Sequence, residues 1–317
     1  MARKFFIRLL VFLLLFATIN FVLDRIYKRL YNTTSNLKDK QFSEYRGNLK
    51  YLLLGDSYIQ GGINPLILKN SFNSSSAMES YPYTYYKLRY IVERLHRKPE
   101  NIIFQADPSS FSSMRTQQGS NDSYWYRIAD YNEMAKLSGN NKLYVRWLVG
   151  RSFSYVGKYR SIQKKYINQT KDDETDISDI VLGYKPWKLN FSLFNERQQK
   201  MQVIDRTHTY FSKNNYFDSF QLLYFEKIMK YTAEKNIGFY LIRVPATNAY
   251  LKEISKYFNL DSLNSKIDQI ARKYPNYKGM LDYQNQFKNN PEYFHNPDHL
   301  NYHGAKALSE LLNARLN

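Results

Sequence analysis

The hydrophobic and polar positions along the chain fall into three patterns. Residues 5–23, FFIRLLVFLLLFATINFVL, are apolar on every side, with Arg8 the only charge. About 20 such residues span a bilayer. Short apolar runs closed by Gly or Pro form the second pattern. They cover residues 49–54, stopped by Gly55; 101–106, stopped by Asp107 and Pro108; 237–244, stopped by Pro245; and 279–283. Such runs predict buried strands. In the third pattern apolar residues recur at helical spacing over 85–97, 217–235, 260–273 and 304–316. A short helix with Pro65 in its first turn is expected at 64–70. Strands alternating with helices of ten or more residues imply βαβ units and a parallel sheet, so the expected fold class is α/β.

These patterns divide the chain into an anchor at 1–24, a polar and basic stalk at 25–47, and an α/β domain at 48–317. Residues 120–215 break the strand–helix rhythm and read as an insertion covering one sheet edge, with an acidic patch from Asp172 to Asp176. No small-x-small cleavage site precedes Asp24 and Arg25, which favours an uncleaved anchor over a signal peptide. Arg3, Lys4 and Arg8 on one flank balance Arg25, Lys28 and Arg29 on the other. Orientation therefore rests on the habit of short N-terminal anchors, which leave the bulk of the chain outside the cell membrane.

Composition narrows the function classes. The absence of Cys excludes disulfides, thiolate catalysis and Cys-ligated zinc. The net charge of +18 predicts attraction to anionic surfaces, but the basic residues are spread thinly, and neither a compact block nor a nucleic-acid motif stands out. A solvated basic surface is the simpler reading, and no nucleic-acid partner is expected. The 30 Tyr suit half-wet surfaces such as carbohydrate sites; ordinary cores and a nucleotide bias in the genome produce the same excess.

Candidate chemistry sits at two places. Gly55-Asp56-Ser57 follows the first predicted strand, and ligands of open parallel sheets bind beyond the carboxyl ends of strands. A helix starting there would put Ser57 in the positive field of its N-terminus. Near the other end, Asn296-Pro-Asp-His-Leu-Asn-Tyr-His-Gly precedes the last helix. A nucleophilic Ser needs a neutral imidazole to take its proton and an acceptor to orient that imidazole. His299 supplies the imidazole, with Asp298 beside it and Asn296 three residues earlier. Three of the five His, His295, His299 and His303, fall here, which raises a zinc alternative; the Pro turn after His295 keeps the three off one helical stripe. No metal and no cofactor are therefore expected.

Taken together, the two blocks resemble the SGNH (GDSL-like) hydrolase superfamily, whose first strand ends in Gly-Asp-Ser and whose Asp-x-x-His turn precedes the C-terminal helix. Residues 76–88 and Asp107-Pro-Ser-Ser-Phe111 resemble a membrane-anchored branch, itself similar to the acyl-transfer protein of D-alanyl-lipoteichoic acid biosynthesis. The resemblance covers about residues 48–317 and is thin across the insertion. It implies a three-layer α/β/α fold with a central, mostly parallel sheet (flavodoxin-like), with Ser57 as nucleophile and His299 as base. It also implies a serine esterase or O-acyltransferase acting outside the cell membrane on an acylated glycan or envelope polymer, with a membrane acyl-donor protein as an open partner.

Two positions depart from the family. Its triad carboxylate lies three residues before the His, where this chain has Asn296; Asp298 is the carboxylate left, though as the neighbour of His299 its side chain need not face the ring. The Gly and Asn blocks of the oxyanion hole are not recognisable. Ser80 and Asp107 occupy the matching turns beside Asp56 and Ser57, and an Asp there repels an oxyanion unless protonated or turned away. These departures motivate a second expectation, a non-catalytic binding or assembly protein of an envelope polysaccharide pathway.

Overall fold

Tyr51–Leu54 form strand β1, the second strand of a five-stranded parallel sheet ordered β2-β1-β3-β4-β5. In the computed structural model of the chain the described residues are 2–30, 34–117, 179–211 and 218–317, with isolated positions between 128 and 153. The other strands are β2 (Ser71–Asn73), β3 (Asn101–Gln105), β4 (Gly238–Arg243) and β5 (Tyr277–Asp282). Parallel register runs from Tyr51 against Asn101 to Leu54 against Phe104, and from Asn101 against Gly238 to Gln105 against Ile242. The continuous apolar character of β1 and β3 has a direct cause, since every residue of both is buried. On one face Leu53, Ile103, Ile242 and Leu281 share a cluster with Ile59, Leu308 and Leu312. Phe104, in contrast, stacks on Phe225 at 5.6 Å, and Phe225 meets Phe111 at 5.2 Å.

The chain separates into two compact units, residues 1–36 with 120–177 and residues 37–119 with 178–317. The first contains helix α1 (Ala2–Leu30), of which Arg3–Tyr27 is long and apolar enough to cross a membrane. Those 25 residues rise about 37 Å at roughly 1.5 Å each. Of the expected insertion at about 120–215, residues 179–211 and isolated positions between 128 and 153 are described, and the rest lies outside the described residues.

Helix α2 (Thr34–Glu44), most of which belongs to the second unit, occupies much of the expected stalk. Its Phe42 ring packs edge-on against Phe72 of β2 at 4.8 Å, and buried Lys38 donates to the Ser75 carbonyl. Three further helices lie between β1 and the end of the first half: α3 (Ser57–Gly62), α4 (Tyr81–Arg89), which continues as one π turn over Tyr90–Arg94, and α5 (Ser113–Gln117). The second half carries α6 (Glu196–Tyr210), α7 (Ser219–Glu234), α8 (Asn248–Ile254), α9 (Leu260–Ala271) and α10 (Tyr302–Leu316).

Sequence and structure differ where local patterns are short. Residues 64–70 are turns rather than a helix: Ile67 and Leu68 N–H both return to the Asn64 carbonyl, and the ladder stops there. Asn70 has φ of 57° and ends the turn by leading into β2, a three-residue strand too short to register as a pattern. Helix α6 falls inside the segment read as poorly periodic. It is nonetheless framed by a capping box in which Asn195 Oδ1 accepts from Gln198 N–H at 3.0 Å and Gln198 Oε1 accepts from Asn195 N–H at 3.1 Å.

Phe225→Ala is expected to lower unfolding free energy by about 3–5 kcal/mol, because its fully buried ring joins β3 to α7 and leaves a cavity the surrounding rings cannot close. Urea unfolding followed by near-ultraviolet circular dichroism measures this.

Candidate active site

The strand order sets the place of the site. The chain leaves β1 toward the β2 edge and later returns on the other side as β3, so the carboxyl ends of β1 and β3 open a crevice at the reversal. Ser57 follows β1, and Asp107 follows β3.

Gly55, Asp56 and Ser57 each have a separate structural task. Gly55 has φ of 154°, and a Cβ there would run into the Gln105 side chain. Asp56 caps α3: its Oδ1 accepts from Tyr58 N–H at 2.9 Å, and its own N–H donates to Gln105 Oε1 at 2.7 Å. Asp56 Oδ2 pairs with Arg115, whose side chain is fully buried. The Arg115 guanidinium in turn lies 4.5 Å over the Tyr210 ring. Ser57 opens the helix, and its N–H has no acceptor among the described residues.

The opposing half is an antiparallel hairpin of β6 (Phe294–Asn296) and β7 (His299–Leu300). Asn296 Oδ1 organises its tip by accepting from Asp298 N–H at 3.2 Å and His299 N–H at 2.9 Å. The Pro297 carbonyl accepts from Thr247 N–H at 3.0 Å and Thr247 Oγ1 at 2.9 Å, which ties the tip to the cap of α8. Asn301 then caps α10 by accepting from His303 and Gly304 N–H.

The two halves meet at Ser57 Oγ and His299 Nε2, 2.8 Å apart. His299 Nδ1 lies 3.0 Å from Asn296 Oδ1 and 3.0 Å from Asp298 Oδ1. With both of those neighbours acting as acceptors, the hydrogen-bond network assigns the ring proton to Nδ1 and leaves Nε2 free to accept. The imidazole lies flat on Tyr58, with centroids 4.4 Å apart and planes 6° from parallel. Trp187 meets its edge at 5.8 Å and stacks on His295 at 4.9 Å. Ser57 is 7% exposed and His299 4%.

Asp298 is the most heavily partnered carboxylate here. Arg206 of α6 donates to it from Nε at 2.9 and 3.1 Å and from Nη2 at 2.9 Å, and the Tyr58 hydroxyl donates to Oδ2 at 2.5 Å. Burial alone would raise the Asp298 pKa; the charges of His299 and Arg206 outweigh it and hold the group well below the usual carboxylate range. Burial, reinforced by Asp298, pushes the Tyr58 hydroxyl well up.

The remaining predicted residues stand apart from this pair. No hydrogen bond among the described residues links Ser80 or Asp107 to Ser57 or His299. Ser80 precedes α4 without a side-chain capping bond. Asp107 Oδ1 accepts from Val244 N–H at 3.1 Å, and its Oδ2 is buried without a partner. Burial and then the Asp56 charge raise the Asp107 pKa well above the ordinary value, which favours the protonated form. A small cleft lined by Tyr58, Asp107, Val244, Tyr250, Gln284 and Asp298 lies at the ends of β3, β4 and β5. Among the described residues no three His, Asp or Glu side chains converge as metal ligands would.

Arg206, Tyr58, Trp187 and Arg115 were not singled out by the sequence. The capping box at Asn195 and Gln198 marks the helix that carries Arg206, but nothing local marks the Arg.

Burial, then the neighbouring His299 charge, depresses the His295 pKa to about 4. The unfolded chain binds that proton near pH 6.5, as an ordinary His does. Between those values the unfolded state holds more protons, so stability falls as pH falls from about 6.5 to 4. Melting temperature across this window is expected to drop less steeply in His295→Gln than in the natural chain. The chain matches no protein-family model and no curated protein.

Proposed function

We propose that the chain is an SGNH-type serine esterase or O-acyltransferase. In this reading α1 anchors it in a membrane, and the three-layer α/β/α domain works outside the cell on an acylated glycan or envelope polymer. The observation that carries the reading is the 2.8 Å contact between Ser57 Oγ and His299 Nε2, with an acceptor on the far ring nitrogen.

The geometry supports the following reaction. His299 Nε2 takes the Ser57 hydroxyl proton as Oγ attacks the ester carbonyl. Asp298 and Asn296 receive the Nδ1–H, and the Asp298 charge stabilises the imidazolium that forms. The Ser57 N–H, unpaired in the first turn of α3, faces the developing oxyanion as one donor. The tetrahedral intermediate collapses with expulsion of the alcohol, which takes the proton back from His299. Water or a sugar hydroxyl then attacks the acyl-enzyme, with His299 again as base.

A second reading, a non-catalytic binding or assembly protein of an envelope polysaccharide pathway, draws on a different observation. Ser57 and His299 are nearly buried, and the turn matching the family's Asn block carries the Asp107 carboxyl instead.

A fluorophosphonate probe applied to the detergent-solubilised full chain separates the two. The enzyme reading expects a covalent adduct on Ser57 by peptide mass spectrometry, absent in Ser57→Ala and slowed by about 10⁴-fold or more in His299→Ala. A folded chain that takes no adduct on Ser57 overturns it in favour of the binding protein.

A further inference from the structure

Asp298 meets an unusual geometric demand. It precedes His299 in the chain, and successive residues of an extended segment project to opposite sides. Its carboxylate nevertheless turns back to the ring, with Oδ1 3.0 Å from Nδ1. The bonds at the tip, from Asp298 and His299 N–H to Asn296 Oδ1 and from Thr247 to the Pro297 carbonyl, fix the backbone and do not engage the Asp298 side chain.

What constrains it comes from other elements. Arg206 grips both carboxylate oxygens in the forked geometry that only a guanidinium provides. Its guanidinium is itself seated 5.2 Å over Tyr210, whose ring also supports Arg115. Tyr58 adds one hydroxyl bond but cannot follow a moving carboxylate, being stacked on the imidazole. The Asp298 side chain is buried while a quarter of the Arg206 side chain is exposed, so the guanidinium stands between the carboxylate and water. A buried carboxylate stripped of that partner would turn toward solvent. At 3.5 Å, Arg206 Nη2 is too distant to compete for Nδ1 with the two acceptors at 3.0 Å.

We propose that Arg206 is a positioning residue of the Ser57–His299 pair: its bidentate hold fixes the Asp298 rotamer and so keeps His299 in the Nδ1–H tautomer that can accept the Ser57 proton. The proposal rests on the reading of Ser57 and His299 as nucleophile and base. It assigns a role to α6, which the sequence placed in an insertion. Asn296 duplicates that role only in part. Its Oδ1 is already shared among two backbone N–H groups and the ring, and a neutral amide stabilises imidazolium less than a carboxylate does.

The test uses the full chain in detergent with ¹⁵N-labelled His, of which there are five. At about pH 9 an ordinary imidazole is neutral, and the two ring-nitrogen shifts report the tautomer directly. The natural chain is expected to show His299 as the Nδ1–H form. Arg206→Ala and Arg206→Met, the latter keeping the apolar stem, are expected to populate the Nε2–H form. Fluorophosphonate labelling of Ser57 should fall about 10- to 100-fold in both, less than a wrong tautomer alone would cost because Asn296 remains. Millimolar guanidinium should restore Arg206→Ala, and Arg206→Lys should recover part of the loss through charge without the fork. An unchanged tautomer and labelling rate in a folded Arg206→Met chain overturn the proposal. Should the Arg206 variants shift the tautomer while the natural chain never labels, the positioning role stands and the nucleophile reading fails.

Discussion

Burying a carboxylate costs several kcal/mol unless its charge and lone pairs are met. Asp298 is fully enclosed, and the surrounding architecture supplies what it requires: a guanidinium from α6, a hydroxyl from α3 and the imidazole next to it. Each donor comes from a different element, so the carboxylate serves as the point at which α3, α6 and the β6–β7 hairpin are registered against one another. Removing Arg206 leaves a buried charge unpaired, and removing either other donor leaves a lone pair unmet, which makes the arrangement a cooperative unit.

A second buried pair works in parallel. Asp56 and Arg115 join the start of α3 to α5, and Tyr210 of α6 lies under both Arg115 and Arg206. The two ion pairs thus share one aromatic platform. A third pair, Glu79 with Lys87, holds the turn after β2, where Lys38 of α2 also binds the Ser75 carbonyl. Apolar residues of similar size at such sites would often be as stable or more so. What the pairs add is orientation, because a bidentate or capped carboxylate has one acceptable geometry where a Leu has several.

The sheet explains why Ser57 and His299 can meet at all. They are 242 residues apart, and closing so long a loop costs entropy that only a large core repays. Leu308 and Leu312 of α10 share the cluster that contains Ile59 of α3 and Leu53 of β1, so packing of the last helix carries the hairpin to Ser57. The Ser57–His299 contact is a by-product of core formation, and its precision is then set by the polar network.

Much of this was legible locally. Apolar runs stopped by Gly55, Asp107 and Pro245 marked β1, β3 and β4, because strands buried on both faces need no alternation. Gly55-Asp56-Ser57 and the Asn296-to-Gly304 segment declared a turn and a cap through residue types that act within three or four positions of themselves. The direction of the Asp298 side chain, the Arg206 fork, the burial of Arg115 and the stacking of Tyr58 on His299 had no such signature. Each joins residues from 59 to 241 positions apart, or, for Asp298, depends on a partner 92 positions away. Local propensity is indifferent to which way a polar side chain turns; only the packed fold, by removing water from around it, decides which partner it takes.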